Sequence, residues 1–259
     1  MASIKTFYGE PELKASLIQK TLQHQEADSY IRGKWLSNEK TSKGFKGCWL
    51  GCMTQSDDRT IEKASKQYGL PLWYVSVGEN IYENLPENEW LDFPLQSIEV
   101  LPVGVDLNAA CSMFFKRLLE DQLRFCEKGS KTESAIKQCI ELFNVPFDEI
   151  SLSEAQSAQA AAQSAWLAES AGAAAESAAE SAALSAALSA ADLASRAASN
   201  ASNASRAASK ENYYSWMRDM LFDSIQSTCA QQQQDVKAAQ NIPGFQPDRV
   251  SRRECSQLN

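Results

Sequence analysis

Lys46-Gly47-Cys48-Trp49-Leu50-Gly51-Cys52 sets two thiols four positions apart, each preceded by a glycine. Four positions is about one turn of an α-helix, so a helix starting here carries both sulfurs on one face. A glycine has no Cβ and lets a second backbone come close. The stretch therefore reads as the packed start of a short helix. The segments on either side are helical in pattern too.

Upstream, Pro11 suits the first turn of a helix that runs to about Ile31. Leu17, His24 and Ile31 recur every seven residues on its apolar face. Gly33 ends it, and the polar segment 34–45 reads as a loop. Downstream, a helix over Thr60–Tyr68 closes on Gly69 as its C′ residue. Pro71 opens the next, which carries Trp73, Val77 and Ile81 on one face and stops at Pro86. Trp90–Val100 is a short helix with Pro94 in its first turn, and Pro102-Val103-Gly104 is a turn. Asp106 caps a helix from Leu107 to about Glu127, and Glu133–Phe143 is amphipathic through Ile136, Ile140 and Phe143. No run alternates with period 2 and has a partner run. The fold class is all-α, with an N-terminal helical domain over residues 1–148.

The composition then changes. From Ala155 to Ser209, 38 of 55 residues are Ala or Ser. Alanine is the best helix former, and the tract holds no proline. Ala168, Ala171, Ala175, Ala179, Ala182 and Ala186 follow at helical steps and form a stripe of small side chains. Such a stripe predicts close helix–helix packing. One helix of this length would run ~80 Å at 1.5 Å per residue. An antiparallel hairpin turning at residues 199–203 is the more compact arrangement; a long helix pairing with another subunit is the alternative. The Ala/Ser-rich helical region spans 149–238. Within it, a helix from Glu211 to about Val236 is amphipathic through Tyr214, Met217, Leu221 and Ile225. An irregular tail spans 239–259.

The chain has 259 residues, a formal net charge of −8 and seven cysteines. The acidic balance speaks against a nucleic-acid partner, which needs a basic footprint. An odd set of irregularly spaced cysteines in a chain of this size reads as reduced thiols, not a disulfide framework. No apolar run reaches the ~18 residues of a membrane span, and the N-terminus has no Sec-type h-region. The expected location is the cytoplasm, or wherever a route without a Sec signal delivers the chain.

Candidate chemistry centres on the Gly-Cys stretch. Cys48 or Cys52 at a helix start is a possible nucleophile, since that position lowers a thiol's pKa. His24 is the only histidine. Asp28 is four residues on and within reach of its ring, so a relay of Cys48, His24 and Asp28 is available. Glu26, Glu79 and Glu83 are alternative acid–base groups, although glutamates at i,i+4 are ordinarily solvated. Zinc needs two ligands beyond the C-x-x-x-C pair, and a single histidine does not supply them. No metal and no cofactor is expected. The blander reading of the two cysteines is small buried residues beside packing glycines.

Three motifs carry a resemblance. They are His24-Gln25-Glu26-Ala27-Asp28, then Ile31-Arg32-Gly33-Lys34-Trp35, then the Gly-Cys stretch itself. In this order they resemble a group of uncharacterised bacterial and phage proteins that read H-x-x-A-D…G-K-G-C-x-x-G-C. The likeness continues through Gly69-Leu70-Pro71, residues 81–86 and Val103-Gly104-Val105-Asp106-Leu107, and includes a C-terminal Ala-rich repeat. It covers most of residues 12–235. The group lends no reaction. It implies that His24, Asp28, Cys48, Cys52 and Glu83 belong together. The chain departs from it at Gln55, where the group often has histidine, and at Asn84, where it has glycine. Two functions follow as expectations. One is a helical interaction or assembly protein, binding a protein partner or itself through the Ala/Ser helices. The other is a cysteine-dependent acyl or amide hydrolase or transferase.

Overall fold

The computed structural model describes residues 4–27, 29–36, 46–55, 61–145, 150 and 208–240. These form eight α-helices and two 3-10 turns, and among them the only extended pairings are three isolated bridges. The protein is all-α. The helices are α1 Pro11–Glu26, α2 Trp49–Thr54, α3 Ile61–Tyr68, α4 Leu72–Asn84, α5 Phe93–Glu99, α6 Asn108–Gln122, α7 Lys131–Leu142 and α8 Ala208–Gln240. They divide into two compact units, one within residues 2–107 and 211–259 and the other within 108–210. Composition places a boundary near residue 148, whereas packing groups α8 with α1–α5 and sets α6 and α7 apart. A composition shift marks where large apolar residues thin out. It does not say which helices share a core.

In the first unit, α1 starts on Pro11, whose fixed φ suits a first turn. The helix stops earlier than the heptad of Leu17, His24 and Ile31 suggests. Ala27 N–H closes on Gln23 O, Ser29 N–H on His24 O, and Ile31 N–H leaves to bond Gly47 O at 2.9 Å. Ile31 is thus off the helix, and Tyr30 beside it is buried. Ahead of α1, Thr6–Gly9 form a short 3-10 turn. Phe7 and Tyr8 both take φ of 53°, forming a left-handed turn with Gly9. Thr6 N–H to Val105 O and Phe7 N–H to Gly69 O pin it, and Phe7 is fully buried.

The apolar stripe of α4 is buried at Trp73, Val77 and Ile81, and that of α8 at Tyr214, Met217, Leu221 and Ile225. Fully buried aliphatic side chains such as Leu221 and Ile225 each contribute about 1.5–3 kcal/mol. Phe222 of α8 stacks on Phe93 of α5, with ring centroids 6.1 Å apart. Phe93 in turn meets the edge of Trp49 at 5.6 Å. Arg218 of α8 pairs with Glu89 at 2.5 Å.

In the second unit, Phe115 of α6 meets Phe143 just after α7, with centroids 5.5 Å apart. Ser130 caps α7: its side chain accepts from Glu133 N–H at 3.0 Å, while Glu133 reaches back to Gly129 N–H at 2.5 Å. The first bond satisfies one of the helix's orphan donors, and the second satisfies the N–H of the residue before the cap. Ser130→Ala should cost this unit about 1 kcal/mol, read as a lowered midpoint in urea unfolding. A change below a few tenths would show that the cap is not a stabilising contact.

The proposed turn at residues 199–203, the alanine stripe and the tail from 241 lie outside the described residues. Among the described residues, no helix is long and apolar enough to cross a membrane.

Candidate functional site

Gly47 is where the site begins. Its N–H bonds Ser29 O and its carbonyl accepts from Ile31 N–H, both at 2.9 Å, and Cys48 N–H bonds Lys34 O at 2.8 Å. The segment 29–36 thus grips the residues just before α2. A Cβ on Gly47 or Gly51 would lie 2.2 or 1.7 Å from the Trp35 carbonyl oxygen. Both glycines are required by that close approach, as their lack of a Cβ suggested. On the opposite side, a Cβ on Gly78 of α4 would meet the Trp49 ring at 2.6 Å. Three glycines therefore draw segment 29–36, α2 and α4 together.

The two thiols have different partners. Cys52 is fully buried, with its Sγ 3.4 Å from Gly47 O and 3.6 Å from Ser29 O. Burial pushes its thiol up to about 12. Cys48 is 2% exposed and faces α4, where its thiol hydrogen-bonds the Glu79 carboxyl. Burial, and then the negative charge of Glu79, hold the Cys48 thiol far above the ordinary thiol range.

Cys48, Glu79 and Glu83 form a cluster. The Cys48 Sγ and one carboxylate oxygen from each glutamate lie within 4.8 Å of one another. Glu79 and Glu83 are one turn apart on α4, so both reach the Cys48 side. Glu83 Oε2 accepts from Gly33 N–H at 2.7 Å. Glu79 is raised to about 7, first by burial and then by the charge of Glu83, while the donors Cys48 Sγ–H and Leu50 N–H pull the other way. Its Oε2 is sealed from solvent and has no hydrogen-bond partner. Tyr82, on the same helix, donates to Ile31 O at 3.3 Å.

His24 is half-buried at the other end of α2. Its Nε2 is 3.2 Å from the Gln55 amide nitrogen, and its ring is also hydrogen-bonded to the Cys52 backbone. Burial, then the charge of Lys20, lowers its pKa. Gln55 reaches it from a left-handed residue, φ 48°, that ends α2. Gln55 is also where the chain departs from the resembled pattern. Lys20 Nζ bonds Met53 O at 2.8 Å. Asp28, the third member of the expected relay, lies outside the described residues. Glu26 is exposed.

Of the expected set, the structure brings Cys48 and Glu83 together and places His24 against Gln55 and the Cys52 backbone. It adds Glu79, which the i,i+4 pattern suggested was solvated. The sequence signal was Gly78 beside it: a small residue next to an acid on an otherwise apolar helix, where a bulky ring packs against the backbone. No protein-family model, curated protein or solved structure matches the chain.

Proposed function

We propose that this chain is a helical interaction and assembly protein. The supporting observation is the state of the Gly-Cys stretch. Both sulfurs are buried and both thiols are held protonated, with Cys52 at about 12. A nucleophile must be reachable and ionised, and reactive cysteines owe both to an electropositive, open setting. Here the stretch acts as a packing hub for segment 29–36, α2 and α4. The Ala/Ser region then carries the partner contact, through the stripe of Ala168, Ala175, Ala179 and Ala182. A cytoplasmic location belongs to the same proposal, supported by the six free cysteines among the described residues. So does kinship with the bacterial and phage group, two of whose motif residues, Cys48 and Glu83, share one cluster. Light scattering on the full chain over a concentration series tests the self-associating form. The expected result is an assembly that weakens when Ala175, Ala179 and Ala182 are replaced by Gln. A monomer at every concentration sinks it.

The Cys48–Glu79 contact favours a second reading, a cysteine-dependent hydrolase or transferase. In that case Glu79, with a value near neutrality, is the base, and His24 is not. Thiol labelling separates the two. At about pH 7.5, iodoacetamide should modify the partly exposed Cys126 and Cys229 at least tenfold faster than the buried Cys48 and Cys52, in keeping with their exposure. Mass mapping of a time course reads this out. Cys48 reacting first would transfer the proposal to the enzyme.

A further inference from the structure

We propose that Cys48 Sγ and the carboxylates of Glu79 and Glu83 form a binding site for one zinc-class divalent cation. This goes beyond the assembly reading and does not depend on it.

Three observations converge. First, the donors come from two separate places, the residue preceding α2 and two successive turns of α4, and their ligand atoms all lie within 4.8 Å of one another. Ligand atoms around a tetrahedral zinc are ~3.5 Å apart, given metal–ligand bonds of about 2.0–2.3 Å. The three side chains would have to close by ~1 Å, within rotamer adjustment, on a backbone already locked by Gly47, Gly51 and Gly78. Second, Glu79 Oε2 is sealed from solvent and has no hydrogen-bond partner. A buried acceptor without a donor is costly, and a cation would satisfy it. Third, among the described residues, the charges that raise Cys48 most are those of Glu79 and Glu83, and the charge that raises Glu79 most is that of Glu83. All are negative. Lys20 acts on Cys52 instead, and Arg32 is engaged by Glu87 and by Leu85 O.

The donor set selects the ion. A thiolate ligand favours zinc and its close relatives over calcium and magnesium, which take oxygen ligands. Supporting contacts are present too. Gly33 N–H holds Glu83, and Leu50 N–H holds Glu79, as outer donors commonly orient metal-bound carboxylates. On binding, Cys48 loses its thiol proton to solvent and a sulfur–metal bond forms; any proton on Glu79 also leaves. No oxidant or reductant takes part. Three protein ligands leave one position of a tetrahedron for water, the arrangement that catalytic zinc sites share.

The test uses the full chain, chelator-treated and reduced, titrated anaerobically with Co²⁺ as the spectroscopic stand-in for zinc. The expected result is a near-ultraviolet sulfur-to-cobalt charge-transfer band that saturates at one equivalent and is lost on adding Zn²⁺. Cys48→Ser should abolish the band and Cys52→Ser should keep it. Glu79→Gln and Glu83→Gln should each weaken cobalt affinity by at least about tenfold. Far-ultraviolet circular dichroism of each variant without metal confirms that it is folded. A wild-type protein that shows no charge-transfer band overturns the proposal, and that readout needs no variant. So does a band that survives Cys48→Ser, or one that disappears with Cys52→Ser alone.

Discussion

Gly51→Ala should destabilise the chain by more than ~3 kcal/mol, beyond the usual range for overpacking a core. The new Cβ would lie 1.7 Å from the Trp35 carbonyl oxygen and 2.7 Å from its carbon. These are backbone atoms, so no rotamer change relieves the clash. Segment 34–36 would have to move, and Cys48 N–H bonds both Lys34 O and Trp35 O there. Gly47→Ala faces the same oxygen at 2.2 Å and should cost nearly as much. The sign is diagnostic, because Gly51 is inside α2 and at an open helix position alanine is favoured by about 1 kcal/mol. Gly33→Ala is the control. Gly33 has φ of +75°, and a Cβ there would meet no atom within 4 Å, so only the left-handed backbone is penalised, at about 1–2 kcal/mol. Urea unfolding of the three variants decides it. If Gly51→Ala costs no more than Gly33→Ala, the close approach does not hold α2 in place.

That clash also shows which parts of the fold were legible. The stripes of α4 and α8 follow a 3.6-residue period, and each side chain they nominate is buried, because periodicity is a local property. Gly69 after α3 and Pro94 in α5 were legible for the same reason. The end of α1 was not. Ile31 fits the heptad, but its N–H is taken by Gly47, sixteen positions along the chain, and no local pattern encodes that pairing. The left-handed turn at Phe7 and Tyr8 is likewise imposed by distant groups, Val105 and Gly69.

The site was half legible. Cys48 and Glu83 stood out by type and motif. Glu79 did not, because two glutamates one turn apart look the same whether they face water or a thiol. What decides the matter is Trp49 packing against Gly78, a contact between helices. The spacing of Cys48 and Cys52 predicted a shared helical face, yet the two thiols engage different partners, since Cys48 precedes α2 in extended conformation while Cys52 is within the helix.

Glu79→Gln should change the pH dependence of stability more than any other single substitution in the site. Glu79 is raised from 4.5 to about 7 by burial and by Glu83. The folded state therefore holds this proton more tightly than the unfolded chain does. The resulting stability is fully present below about pH 4.5 and is lost as pH rises through about 7, at about 1.4 kcal/mol per pH unit within that window. In chelator-treated protein the total loss is roughly 3 kcal/mol. Glutamine is similar in shape and stays neutral, so the variant lacks this slope. It should match the wild type near pH 4 and exceed it by roughly 3 kcal/mol near pH 8. His24 contributes with the opposite sign: its lowered pKa means stability is lost as pH falls through the histidine range. That contribution is common to both proteins, so the difference between their urea-unfolding curves isolates Glu79. Parallel curves from pH 5 to 8 would show that Glu79 is solvated. Added zinc then supplies the converse: a cation at the cluster stabilises the ionised carboxylate, so the wild type should regain stability near pH 8 while Glu79→Gln gains far less.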